Sequence, residues 1–147
     1  LSLLEQLNED MKLALKNKEK TKLSTIRMLK SSIKKAEIDK RRPLTDEEVL
    51  EVVLREVKQR QDSLSEYEKA GREDLVQKEK EEMEILRAYL PEQMSEDEVK
   101  ALVQQVIQEL GASSKADMGK VMGALMPKVK GRADGRLVNR LVSEALS

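Results

Sequence analysis

The chain has no cysteine, no histidine, no phenylalanine and no tryptophan, and its only aromatic residues are Tyr67 and Tyr89. Without cysteine, disulfides and thiolate chemistry are excluded. Without histidine, the commonest general base and the commonest metal ligand are missing, and neither a metal nor a cofactor is expected. Without large aromatics, a core must be assembled from Leu, Val, Ile and Met, which suit helix packing, and unpaired bases would find almost nothing to stack on. No apolar run approaches the roughly eighteen residues of a membrane span, so no membrane partner is expected. The opening residues mix acidic and apolar groups and do not read as a signal peptide. A cytoplasmic location is the expectation.

What is present is aliphatic and charged. Leu, Val and Ile supply 38 of 147 residues, enough apolar content for a folded chain. Charged residues make up 38%, well above the roughly 25% of an average globular protein, so thin apolar seams must run between charged faces. The net charge of zero hides an order along the chain. Residues 1–42 carry +6, residues 43–91 carry −6, residues 92–110 carry −4 and residues 111–147 carry +4. Attraction to a polyanion therefore comes from the two ends, against a repulsive middle.

Apolar spacing is helical almost throughout, and the fold class expected is all-α. Leu4, Leu7, Met11 and Leu15 form a first stripe; Leu23, Ile26, Leu29 and Ile33 form a second, continuing toward Ile38 and ended by Pro43. Thr45 to Glu48 fits a capping box opening a helix with Val49, Val53, Val57, Leu64 and Tyr67, which stops near Gly71. A return helix from about Glu73 to Tyr89 places Val76, Met83, Leu86 and Leu90 on its seam, completing a helical hairpin. Pro91 breaks the pattern, and the short link 91–94 separates an N-terminal four-helix domain, 1–91, from a C-terminal three-helix domain, 95–147. In the latter, Ser95 to Glu98 is a second capping box, Val99, Leu102, Val103, Val106 and Leu110 form one helix, and Gly111 closes it. Ser114 or Asp117 can cap the next helix and Asp134 the last, with Leu137, Val138, Leu141, Val142 and Ala145 facing inward.

The stretch 118–135 holds four of the six glycines and three of the seven methionines. On a helix, Met118, Val121, Met122, Leu125, Met126 and Val129 share a face about 140° wide, while Lys120 points away. Gly119 and Gly123 lie one turn apart on the flank of that face. Two readings of them stand: close approach of another helix backbone, or a Met-lined docking surface. Pro127 belongs at a kink or in the last turn. Beyond it, Lys128, Lys130, Arg132, Arg136 and Arg140 can form one positive patch, or an ordinary solvated face. Asp134 would occupy the amides of the last helix, so phosphate would meet side chains rather than the helix end.

Tyr89-Leu90-Pro91-Glu92-Gln93-Met94-Ser95, Asp117 to Met122 and Lys130-Gly131-Arg132-Ala133-Asp134-Gly135 resemble the YqeY family. The similarity extends over essentially the whole chain, including Ala70 to Leu75. The second and third segments are also similar to the C-terminal tail domain of GatB, a component of the glutamyl/aspartyl-tRNA amidotransferase, except that Gly135 stands where a proline often follows the capping Asp. The resemblance implies an all-α protein whose tail-like part meets tRNA, with the amidotransferase's catalytic parts in other domains and subunits. Met118, Gly119, Met122, Gly123, Gly131 and Asp134 are then structural motif residues. The binding residues become Lys120, Lys128, Lys130, Arg132, Arg136 and Arg140.

The function expected is thus a non-catalytic accessory protein binding tRNA or another structured RNA, with a translation-related protein as a further partner. Two alternatives stand beside it. One is an amidotransferase-related carbon–nitrogen ligase using glutamine, or its accessory subunit, although no catalytic constellation is visible. The other is a protein-interaction module. Lys30-Ser31-Ser32 has the residue types of an amidase nucleophile but lies within a helix with no glycine-rich oxyanion loop after it. Glu66, Glu68 and Glu79 to Glu82 read as solvated acids on the hairpin. Lys16 to Lys22 and Lys40-Arg41-Arg42 read as helix-end charges with a secondary chance of meeting phosphate.

Overall fold

The computed structural model describes residues 1–146. Among them are seven α-helices and no strand, an all-α fold: α1 (Leu3–Lys16), α2 (Lys20–Lys40), α3 (Asp46–Lys69), α4 (Glu73–Arg87), α5 (Glu96–Leu110), α6 (Met118–Val129) and α7 (Gly135–Ala145). A single 3-10 turn, Lys115–Asp117, leads into α6. The chain divides into two units, Leu1–Leu90 and Pro91–Ser147. None of the described helices is long and apolar enough to cross a membrane.

The helix ends follow local chemistry. Ser2 caps α1 by accepting from the Glu5 amide, and full capping boxes open α3 at Thr45 and Glu48 and α5 at Ser95 and Glu98. Each box satisfies two of the amide donors that a helix start leaves without partners. Gly71 (φ +70°) makes the turn of the α3–α4 hairpin, a left-handed conformation that glycine adopts without a Cβ penalty.

In the first unit Leu7, Ile26, Leu29, Ile33, Val49, Val53, Met83 and Leu86 form the core, with Tyr89 and Leu90 packed against it. Two expected seam positions of this unit lie elsewhere. Leu15 is 59% exposed, because Ala14, almost two full turns from Leu7, takes the core line and leaves Leu15 about 80° off it. Ile38 is 67% exposed for the same reason: five residues beyond Ile33, it has rotated onto the opposite side of α2. In the second unit, Leu110 at the end of α5 is exposed, and Leu146 rather than Ala145 is buried at the end of α7. There the backbone leaves the helix at Leu146 in an extended conformation, which turns that side chain back onto the core.

A larger correction concerns Glu82, read from sequence as a solvated acid. It is buried, and its carboxylate accepts from Arg60 Nε at 3.0 Å, while Arg60 Nη1 donates to Glu56 at 2.7 Å. Ser32 Oγ, at 2.6 Å, donates to the other Glu56 oxygen, so the network ties α2, α3 and α4 together. Burial alone would lower the Arg60 pKa; the hydrogen bonds and charges of Glu56 and Glu82 outweigh it and hold the guanidinium protonated. Removing one partner strands the others in an apolar setting. Arg60→Ala is expected to cost about 3–5 kcal/mol in urea unfolding. The joint replacement Arg60→Met with Glu82→Leu is expected to cost less than Arg60→Ala alone, because it leaves one carboxylate, Glu56, without its guanidinium instead of two.

Candidate nucleic-acid interface

The second unit is built around Val99, Val103, Val106, Val121, Leu125, Val129, Val138, Leu141 and Val142. All three helices present aliphatic residues to this centre, and Met118, Met122 and Met126 pack at its edge. Pro127 falls in the last turn of α6, and the carbonyl it leaves without an i+4 donor belongs to Gly123, an exposed residue. The close-approach reading of Gly119 and Gly123 does not hold within the unit. Both are exposed, and a Cβ built on either meets nothing within 4 Å. The burial of α6 is carried by its Val and Leu residues, so the glycines lie outside the packed face.

The link 91–94 is not a free connection. Gln93 Nε2 donates to the carbonyls of Pro91 and Gly131, each at 2.8 Å. The Met94 amide donates to the Arg132 carbonyl at 2.9 Å, and Arg132 Nε donates to the Glu92 carbonyl at 3.0 Å. Two segments about forty residues apart thus clasp one another through backbone groups. Gly131 is the pivot: it is buried, its φ is +76°, and Pro91 lies beside it. Sequence reading missed the clasp because it joins two stretches that each look like a loop. The signal available was a glutamine next to Pro91 and a glycine after α6, a side chain rich in donors and a backbone needing the left-handed region.

The clasp and its neighbours sort the six cations. Arg132 is half-buried and its Nε is committed to Glu92. Arg140 pairs with Glu96 and, at 3.3 Å, with Glu144; the hydrogen bond to Glu96 leads in raising its pKa. Lys130 is exposed but already engaged. Lys120, Lys128 and Arg136 are exposed, and no carboxylate bonds to their side chains among the described residues. Lys120 stands near enough to Asp117 to help lower that carboxyl, behind the larger effect of the Ser113 and Ser114 amides. Asp134 caps α7 by accepting from the Arg136 amide at 3.1 Å, which occupies the helix start that an anion would otherwise use. Elsewhere, Ser32 is a structural tie to Glu56, and Lys40 and Arg42 are both bound to Glu48.

The glycines provide a test with opposite signs. Gly131→Ala must place a side chain in the left-handed region and is expected to destabilise the chain by about 1–2 kcal/mol. Gly123→Ala adds a methyl in open space on a helix and is expected to stabilise it by about 0.5–1 kcal/mol. Urea or thermal unfolding reads both; equal signs contradict the geometry described.

Comparison with known proteins places these motifs. A family model described as Yqey-like protein matches residues 4–146. Three fungal relatives share the name altered inheritance of mitochondria protein 41, mitochondrial. The one from Eremothecium gossypii is 42% identical over 59% of this chain and 48% of its own length. That from Kluyveromyces lactis is 41% identical over 73% of this chain and 60% of its own. That from Pyrenophora tritici-repentis is 32% identical over 80% and 68%. The chain thus spans between about half and two thirds of the relatives it matches. Their names overturn the cytoplasmic location expected from composition. The physical reason is that the expectation rested on the lack of an apolar span and on the character of the opening residues, and neither feature distinguishes one aqueous compartment from another. Matched along almost all of its described length, the chain belongs to the YqeY-like family.

Proposed function

We propose that the protein is a non-catalytic accessory factor that binds tRNA or another structured RNA through the second unit. The observation that carries this reading is the sorting of charge there: Lys120, Lys128 and Arg136 are exposed without a bonded carboxylate, while their neighbours hold the structure together. Cations already paired have little to gain from a phosphate, and free ones release counterions on meeting it. The resemblance of 117–122 and 130–135 to the amidotransferase tail supports tRNA as the class of RNA, and a translation-related protein as a companion. With Tyr67 and Tyr89 both in the first unit, this surface reads phosphates and shape rather than stacked bases.

One observation favours a second reading, a protein-docking module: the open flank of α6 at Gly119 and Gly123, with the half-buried Met122 and Met126 beside it. Binding of the full chain to total tRNA at low salt, against a neutral competitor, separates the two. The variant Lys120→Gln/Lys128→Gln/Arg136→Gln is expected to lose about tenfold or more in affinity and to flatten the salt dependence, whereas Arg140→Gln changes little. Unchanged binding by the triple variant contradicts the reading. So does recovery of a protein complex after nuclease treatment from a chain that ignores tRNA.

A further inference from the structure

The solvent side of α2 carries a second concentration of free charge, in the first unit. Lys20, Ser24, Arg27, Ser31, Lys34 and Lys35 project from one exposed side of this 21-residue helix. From Lys20 to Lys35 they run about 22 Å along a straight axis. No bonded carboxylate holds Arg27, Lys34 or Lys35 among the described residues. The two acids of α2 itself lie to the sides, and Glu37 is occupied by the Leu44 amide at 3.0 Å. Glu19, Glu81 and Glu84 line a groove with Lys20, so the uncompensated part of the ridge begins at Arg27.

Two shallow grooves of about 380 and 430 Å³ meet at Ser31. The first, lined by Lys20, Ser24, Arg27 and Ser31 with Leu23 and Met28 at its side, contains no carboxylate. The second adds Lys30 and Lys34, and its sole acid is the occupied Glu37. Lys30 reaches only the Met11 sulfur, at 3.9 Å. Asn8, which also lines the second groove, has a buried side-chain oxygen with no partner.

We propose that this face of α2 is a second RNA-contacting surface, taking the phosphate backbone of a double-helical segment. It shares its ligand class with the reading above but none of its residues. Charge complementarity is the ground: a rigid row of cations interleaved with hydroxyls matches a row of phosphates. A membrane-surface helix would instead place a broad apolar strip between flanking cations. Here the middle of the exposed face is Arg27, Ser31 and Lys34, with Ile38 near its end. An unpaired strand would call for aromatic platforms, which this face lacks.

The test uses the full chain and a labelled 20-base-pair RNA duplex. The variant Arg27→Gln/Lys34→Gln/Lys35→Gln, with its fold checked by circular-dichroism melting, is expected to bind about tenfold more weakly or worse. The slope of log K against log salt should fall by about 2–3, one phosphate for each cation removed. The second-unit triple variant is run beside it. If only that variant loses duplex binding, the α2 proposal is overturned and the earlier reading stands. If the α2 variant loses binding whether or not the other does, the proposal is upheld. It is also overturned if the unaltered chain ignores the duplex, if it prefers vesicles of anionic lipid, or if the α2 substitutions spare the duplex while abolishing an acidic protein partner.

Discussion

Every helix in this protein works under one constraint: a core made almost wholly of branched aliphatics and methionine. With no phenylalanine or tryptophan to reach across, each helix buries a strip of aliphatic residues. In most of them the rest of the circumference is charged or polar, α6 with only Lys120 and Lys128 being the exception. A narrow strip tolerates little rotation, which is why Ala14 and not Leu15 joins the core of α1. The charged remainder must then be disposed of. Some of it is folded into the structure, as in the Arg60–Glu56–Glu82 network. Some is paired at the surface, where Arg42 and Lys40 hold the Glu48 carboxyl far below its ordinary range. What is left over stands exposed to solvent without a bonded carboxylate among the described residues.

The clasp between residues 91–94 and 131–132 gives the family's motif segments a physical meaning. Gly131 is there for a left-handed turn, Arg132 for a carbonyl across the unit, and Gln93 for two carbonyls at once. Asp134 is a cap. Residues that look like a basic binding loop are thus largely construction, and the proposed binding chemistry falls to their neighbours on α6 and α7. The same sorting, applied to the first unit, draws attention to α2.

Much of the fold was legible in sequence, because capping boxes and apolar periodicity are local. Thr45 with Glu48, Ser95 with Glu98 and the turn at Gly71 follow from residue order alone. What resisted reading was every feature made by distant residues. Glu82 looks like its neighbours Glu79 and Glu81 until α3 brings Arg60 against it. Gly119 and Gly123 have the spacing of a helix contact, and only the packed unit shows that nothing approaches them. Of the candidate site, the residue types were visible, but whether a given arginine is free or committed depends on carbonyls and carboxylates forty residues away. Arg140 against Glu96 is the plainest case. Location was not legible either, since the relatives' names place them in a compartment that the composition does not signal.

Both proposed surfaces rest on the division of cations into free and committed, and lysine footprinting reads that division residue by residue. Mass spectrometry of the full chain after brief acylation, with and without bound tRNA, gives a reactivity for each lysine. RNA is expected to protect Lys34, Lys35, Lys120 and Lys128, and to leave Lys69 and the Glu48-bound Lys40 as they were. Protection confined to Lys40 and Lys69, or no protection at saturating RNA, would contradict the division.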